Sequence, residues 1–220
     1  MTDLRDEPTS AFDTIASELV FSSGRVIDVR TDQVAMPGGG VASRDVVVHP
    51  GAVGIVAMND REEILLLRQY RHPVGRYLWE PPAGLLDVAG EDPLIAAKRE
   101  LHEEAHLEAA DWAVLIDAFT TPGGCDEAVR IYLARQVRES TQARYEGQDE
   151  EADMRTRWVP LPEAVDAVLT GQLHNPLAVM GVLATAAFAE SSYAGMRPAG
   201  APWPEMSAFP GSATAHRSSR

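Results

Sequence analysis

Between Ser17 and Arg71 apolar and polar residues alternate in short runs broken by turn residues, the two-residue period of β-strands. The runs cover 17–23, 24–37, 41–50, 52–60 and 62–71, with turn punctuation at Gly38-Gly39-Gly40 and at Asn59-Asp60, so an antiparallel start is expected. The period then changes. Leu94, Ala97, Leu101 and Ala105 recur at steps of three, four and four, which predicts a helix from Asp92 to about Ala105 with this stripe against the core. Segments 112–124 and 127–137 read as another strand pair, followed by an acidic loop over 145–153, a strand at 155–160, and helices near 162–171 and 175–190. Strands and helices in this mixed order predict an α+β fold with helices layered on a mixed sheet. The expected organisation is a mobile arm over 1–15, an N-terminal antiparallel strand region over 16–50, a main domain over 51–190, and a tail over 191–220. That tail is rich in Pro, Ala and Ser and has no period, so it is expected to be disordered or to drape over the fold.

Composition changes this picture only at the edges. A chain of 220 residues can bury one sizeable core, and its hydrophobic and charged fractions are those of a soluble domain. The net charge of −14 argues against nonspecific nucleic-acid binding, which relies on basic surface. It also opposes the approach of an anionic substrate, so a site for one must be locally cationic. Cys125 is the only cysteine, which excludes an intrachain disulfide and points to a reducing, cytoplasmic compartment. No segment approaches the roughly 20 apolar residues of a membrane span, and the acidic N-terminus does not resemble a signal peptide.

The helix that carries the apolar stripe also carries the candidate chemistry. Glu100 and Glu104 are four residues apart on one flank of the stripe, and their mutual repulsion calls for a cation. Hard carboxylate oxygens at a water-accessible edge suit Mg2+ or Mn2+, which keep several waters and are commonly shared with substrate phosphates. Arg99 and Glu103, also four apart, are placed to pair and to hold the helix and its loop in register. Charge runs of this kind are ordinarily solvated helix faces, and the residues around the run decide against that reading.

Gly84, Glu91, Arg99, Glu100, Leu101, Glu103, Glu104 and Leu107 fall on the fixed positions of G-x5-E-x7-R-E-U-x-E-E-x-G-U, where U is aliphatic, and the segment thus resembles the Nudix box. There are two departures. Six residues rather than five separate Gly84 from Glu91, and His106 stands where the family has glycine, which puts in question how the helix ends. The resemblance implies a Nudix-type α/β/α sandwich with a mixed sheet, preceded by the N-terminal antiparallel strand region. Beyond the box, MPGGG, LLRQYRHPVGRYLWEPPAGLLDVAGE, TPGG with DEAVRIYLA, and EEADM resemble the bacterial ADP-ribose pyrophosphatase group over about 17–190. Pro122, sixteen residues past His106, fits that group.

Several residues follow from this combination. Pro81-Pro82-Ala83-Gly84 restricts the backbone and then permits a tight turn, so the Ala83 carbonyl is placed to face a metal. Arg68 and Arg71, at the end of a strand before that loop, are candidate substrate-binding residues together with Gly84, because guanidinium groups suit phosphates. Tyr70 or Trp79 could stack on adenine, although aromatic residues in strands more often fill the core. Cys125 is expected to be a bystander, since no histidine is placed to activate it. The resemblance implies metal ligands Ala83, Glu100, Glu103 and Glu104, a catalytic set of Glu100, Glu104, Arg99 and Glu151, and two or three Mg2+ or Mn2+ ions. Within it Glu151 handles the attacking water, with Glu150 as second choice. It further implies hydrolysis of ADP-ribose or a related small-molecule nucleotide sugar to AMP and ribose 5-phosphate, no nucleic-acid or membrane partner, and a homodimer whose N-terminal strands help form the neighbouring site.

Other functions remain open. His102-Glu103-Glu104-Ala105-His106 also reads as H-E-x-x-H, a zinc-peptidase pattern, but both histidines are expected to face solvent, and Ala109 and Trp112 occupy the positions where one subclass needs glycine and a third histidine. A noncatalytic nucleotide sensor, or hydrolysis of another nucleoside diphosphate derivative, would keep the same fold.

Overall fold

The computed structural model describes residues 4–22, 26–143 and 155–207. The alternating start of the chain forms a three-stranded antiparallel sheet of β1 (Thr14–Ser22), β2 (Asp28–Ala35) and β3 (Val41–Val48), with β2 central. β1 thus begins inside the stretch expected to be a mobile arm. The main domain is built on β4 (Ala52–Ala57), whose two faces feed two separate cores. Val53, Ile55 and Ala57 pack on one side with Leu101, Ala96 and Ala97, while Ala52, Val56 and Met58 pack on the other with Leu177 and Val182. Strand alternation therefore decides which helix lies on which face.

β4 lies in a five-stranded mixed sheet, parallel to β9 (Ala128–Glu139) and antiparallel to β7 (Ala83–Leu85); the order runs β11 (Arg197–Pro198), β8 (Leu107–Phe119), β9, β4, β7. β5 (Glu63–Arg71) leaves β4 through a turn held by the Asn59 side chain and pairs with β6 (Arg76–Glu80) and β10 (Arg155–Pro160) in a three-stranded antiparallel sheet. α1 (Pro93–Ala105) covers one face; α2 (Leu161–Leu169) and α3 (Pro176–Ala189) cover the other. The result is the expected α/β/α sandwich with a mixed sheet. Close approach of α3 depends on Gly181, where a Cβ would lie 2.8 Å from the Val56 side chain.

Of the two expectations for the tail, residues 191–207 follow the second. β11 adds to the edge of β8, and Trp203 is buried in the α1-side core. Arg130 fixes this strap by donating to the carbonyls of Ala201 (2.7 Å) and Pro202 (3.1 Å), and its guanidinium lies 4.8 Å from the Trp203 ring. Asp117 holds Arg130 at 2.7 and 2.8 Å and also accepts from Arg197 at 2.7 Å. No helix among the described residues is long and apolar enough to cross a membrane.

Candidate active site on the carboxylate edge of α1

The first turn of α1 is capped by Asp92, whose side chain accepts from the Leu94 amide at 2.9 Å, and Pro93 opens the helix, where its missing N–H costs no bond. The last turn closes on His106 with φ 54° and ψ 38°, its amide reaching the carbonyls of His102 and Leu101. The replacement of glycine therefore leaves the left-handed termination intact, with the histidine backbone carrying the conformational cost of about 1–2 kcal/mol. Leu101, Ala96 and Ala97 are buried, and Leu94 and Ala105 pack against them, as the stripe predicted.

Arg99 organises the polar flank. Its Nε and Nη2 donate to the two oxygens of Glu91 at 3.1 and 3.0 Å, and its Nη1 donates to Glu100 at 2.6 Å and to Glu103 at 3.1 Å. Hydrogen bonding to Glu91, with the nearby Glu100 charge, outweighs burial and holds the guanidinium firmly protonated. Three carboxylates are thereby tied to one planar cation, and the loop from Gly84 to Glu91 is pinned to the helix.

The strand before the helix completes the edge. The Ala83 amide donates to Glu104 Oε2 at 2.9 Å, which locks β7 against the last turn of α1. A Cβ on Gly84 would lie 2.1 Å from the carboxyl carbon of Glu100, so only glycine lets that carboxylate rest against the strand. Glu100 is thus held between Arg99 on one side and the Gly84 backbone on the other. Among the described residues no three His, Cys, Asp or Glu side chains enclose an ion. An open edge with two carboxylates and a nearby backbone segment is nonetheless the donor set that Mg2+ and Mn2+ accept, because these ions fill remaining positions with water and substrate phosphate.

β5 separates the two arginines that lie three positions apart in the sequence. Arg71 shares its face with Leu67 and hence with α1, whereas Arg68 projects from the opposite face, its guanidinium carbon 3.9 Å from the Tyr77 ring centroid. Arg71 bends back to Glu80, donating from Nε at 2.9 and 3.2 Å and from Nη2 at 2.6 Å. Sequence reading did not single out Glu80. Its signal is legible only once β5 and β6 are recognised as a hairpin, and Pro73, Gly75, Pro81 and Pro82 hide β6 as a loop. Trp79 packs against the α2/α3-side core, and Tyr70 meets His72 edge-on and Tyr77 at a tilt.

His102 and His106 depart from expectation. Rather than facing solvent, both are half-buried with ring centroids 5.4 Å apart, and each Nδ1 is buried with no hydrogen-bond partner among the described residues. Local packing at the end of α1 accounts for this, since the left-handed turn at His106 carries its ring beside that of His102. Glu103, the base that the H-E-x-x-H reading requires, is engaged by Arg99. Cys125 is part-buried, and burial pushes its thiol above the usual 9.0, consistent with a bystander. Glu150 and Glu151 lie outside the described residues.

The N-terminal sheet meets the main domain at the TPGG turn. The Val47 amide donates to the Gly124 carbonyl at 2.9 Å, and Asp126 accepts from the His49 amide at 2.8 Å and pairs with buried Arg30 at 3.4 Å. In the sequence this turn stood out as part of the family resemblance, and its structural role in joining the two sheets was not anticipated.

The NUDIX domain model matches residues 48–178. The ADP-ribose pyrophosphatase of Mycobacterium tuberculosis is 50% identical over 87% of this chain and 91% of its own length. The methanol dehydrogenase activator of Bacillus methanolicus is 35% identical over 77% of this chain and 89% of its own. The crystal structure of an ADP compounds hydrolase superposes with a TM-score of 0.72 at 22% identity, covering 85% of this chain and 98% of that one, a likeness of fold.

Proposed function

We propose, on the premise that this chain belongs to the NUDIX family, that it hydrolyses the pyrophosphate bond of ADP-ribose, or of a closely related ADP-sugar, to AMP and ribose 5-phosphate. The observation that carries the choice of substrate is the 50% identity to an ADP-ribose pyrophosphatase across nearly the whole of both chains. The carboxylate edge is assigned the chemistry such a reaction needs.

Glu100 and Glu104, with Glu103 and the Ala83 carbonyl, are the residues that would hold Mg2+ or Mn2+. A divalent ion held there would neutralise phosphoryl charge and make a bound water more acidic. The chain's own contribution is preorganisation. Arg99 fixes Glu100 and Glu103, the Ala83 amide fixes Glu104, and Gly84 leaves room for the substrate-facing carboxylate. Arg71, on the same face as α1 and paired with Glu80, would donate to the anionic substrate. Arg68, stacked on Tyr77, is assigned to the opposite face of the same hairpin, where it would serve substrate held from that side. Glu151 is assigned to the attacking water on family resemblance, with Glu150 as alternative. No covalent enzyme intermediate is required.

We assign the chain to a homodimer as well. All nine residues of β1 are exposed, and Ile15, Leu19, Val20 and Phe21 each show more than half of their surface, together with Phe12 and Val41 nearby. Apolar exposure concentrated in one sheet is the mark of an interaction surface. The cytoplasm remains the assigned compartment, from the single cysteine.

A substrate panel with Mg2+ and with Mn2+, its products identified by mass, tests the assignment. ADP-ribose is expected to yield AMP and ribose 5-phosphate with the highest kcat/KM. Faster turnover of NADH, a diadenosine polyphosphate or a non-adenine sugar nucleotide would move the enzyme elsewhere in its family.

A further inference from the structure

We propose that Glu80 is a positioning residue for substrate binding, acting through Arg71 by holding its guanidinium in one orientation on the α1 side of the β5–β6 hairpin. The proposal deepens the reading above and rests on Arg71 meeting the anionic substrate.

The backbone register shows how unusual the contact is. Glu80 lies opposite Leu67, and Arg71 lies four residues further along β5, about 13 Å away at the rise of a strand. The two side chains meet only because both lie flat along the same sheet face and extend toward each other. They meet as a fork, Nε and Nη2 of Arg71 against both oxygens of Glu80, with the shortest contact 2.6 Å. Two parallel charge-assisted bonds fix the plane and the heading of the guanidinium, which a single contact would not.

The burial is asymmetric. Glu80 is 2% exposed, whereas the Arg71 side chain is 43% exposed. A carboxylate taken out of water is costly, and a well-packed apolar residue at that depth would stabilise the fold at least as well. A buried anion beneath a half-exposed cation is instead suited to fixing the direction of the cation. Its location supports this role, because Glu80 is followed directly by Pro81, Pro82 and Ala83, the segment whose amide is held by Glu104. The hairpin end bearing the fork and the strand bordering the carboxylate edge are therefore one continuous piece of backbone. An arginine already restricted in rotation loses less entropy when it meets an anion, so its effect belongs in KM.

A double-mutant cycle with ADP-ribose and Mg2+ tests this, using wild type, Glu80→Gln, Arg71→Ala and the double variant, each checked for fold by thermal melting. Glu80→Gln keeps the shape but presents an amide donor to the arginine fork. It should raise KM about tenfold, the scale of one charge-assisted hydrogen bond, with kcat changed less. Arg71→Ala should raise KM at least as much, and adding Glu80→Gln to it should change KM no further. The same KM factor in both backgrounds, or an unchanged KM in Glu80→Gln beside an impaired Arg71→Ala, overturns the positioning role. An unchanged KM in Arg71→Ala refutes the substrate contact of Arg71 and the role of Glu80 with it, while absence of hydrolysis by wild type refutes the proposed substrate instead. Should Glu80→Gln not fold, Glu80→Asp, which keeps the charge but withdraws it by one methylene, is held to the same criterion.

Discussion

A methyl group at position 84 would sit 2.1 Å from the carboxyl carbon of Glu100, far inside contact distance. The obstacle is the end of a flexible side chain, so Gly84→Ala should fold and displace the carboxylate rather than the strand. Displacement of a catalytic group by about 1 Å costs on the order of a hundredfold in rate, and turnover is expected to fall by that scale while the melting temperature changes little. Wild-type kcat in this variant would show that Glu100 need not rest where the structure has it. Single residues also mark how far the sequence could be read. Gly84, Glu100 and Glu104 were legible because helical spacing and the box motif agree. Glu80 was not, because its partner is nine residues away across a hairpin. His106 could be noticed as a departure from glycine, but its acceptance of a left-handed backbone could not be foreseen.

At the scale of elements, long periodic segments were read to within a few residues. β4, β5, β9 and the three helices formed where the pattern placed them, since each buries apolar residues against the core, and β10 formed there as well although only Val159 in it is buried. The short strands β6 and β7 were missed because proline and glycine surround them, and β8 begins five residues earlier than Trp112, where alternation is weak. β11 was missed for another reason: its two residues have no pattern, and it exists because Asp117, Arg130 and Arg197 fasten the strap above the sheet. Burial works against ionisation of Asp117, but the hydrogen bonds from Arg130 and then Arg197 outweigh it and hold the carboxyl below its ordinary 3.8. A carboxylate lowered in the folded state contributes stability that is full above the unfolded value and is lost as pH falls through the folded one. The melting temperature of wild type should therefore fall below about pH 4 more steeply than that of Asp117→Asn, which begins lower at neutral pH. Parallel curves would show that the strap does not depend on this charge.

For the whole molecule, helices layered on a mixed sheet followed from patterning and the sandwich with helices on both faces from the family resemblance, while the relation of the N-terminal sheet to the rest followed from neither. That relation is set by Arg30, Asp32 and Asp126, charged residues that read as surface in a sequence and are buried in the structure. The sheet they hold presents a row of apolar side chains on β1, and light scattering is expected to give twice the chain mass. A monomer at micromolar concentration would leave that surface without its assigned occupant. The overall charge of −14 makes the local cation count at the edge of α1 decisive, because the net field of the molecule opposes the approach of a nucleotide sugar. The most direct test of the account is calorimetric binding of a methylene-bridged, nonhydrolysable ADP-ribose analogue with and without Mg2+, to wild type and to Glu104→Gln. Glutamine can still accept from the Ala83 amide, so the fold should persist while the charge is lost. Tight binding is expected only for wild type with Mg2+; binding of equal strength without the ion, or in Glu104→Gln, would contradict the central claim that this edge grips the diphosphate through metal.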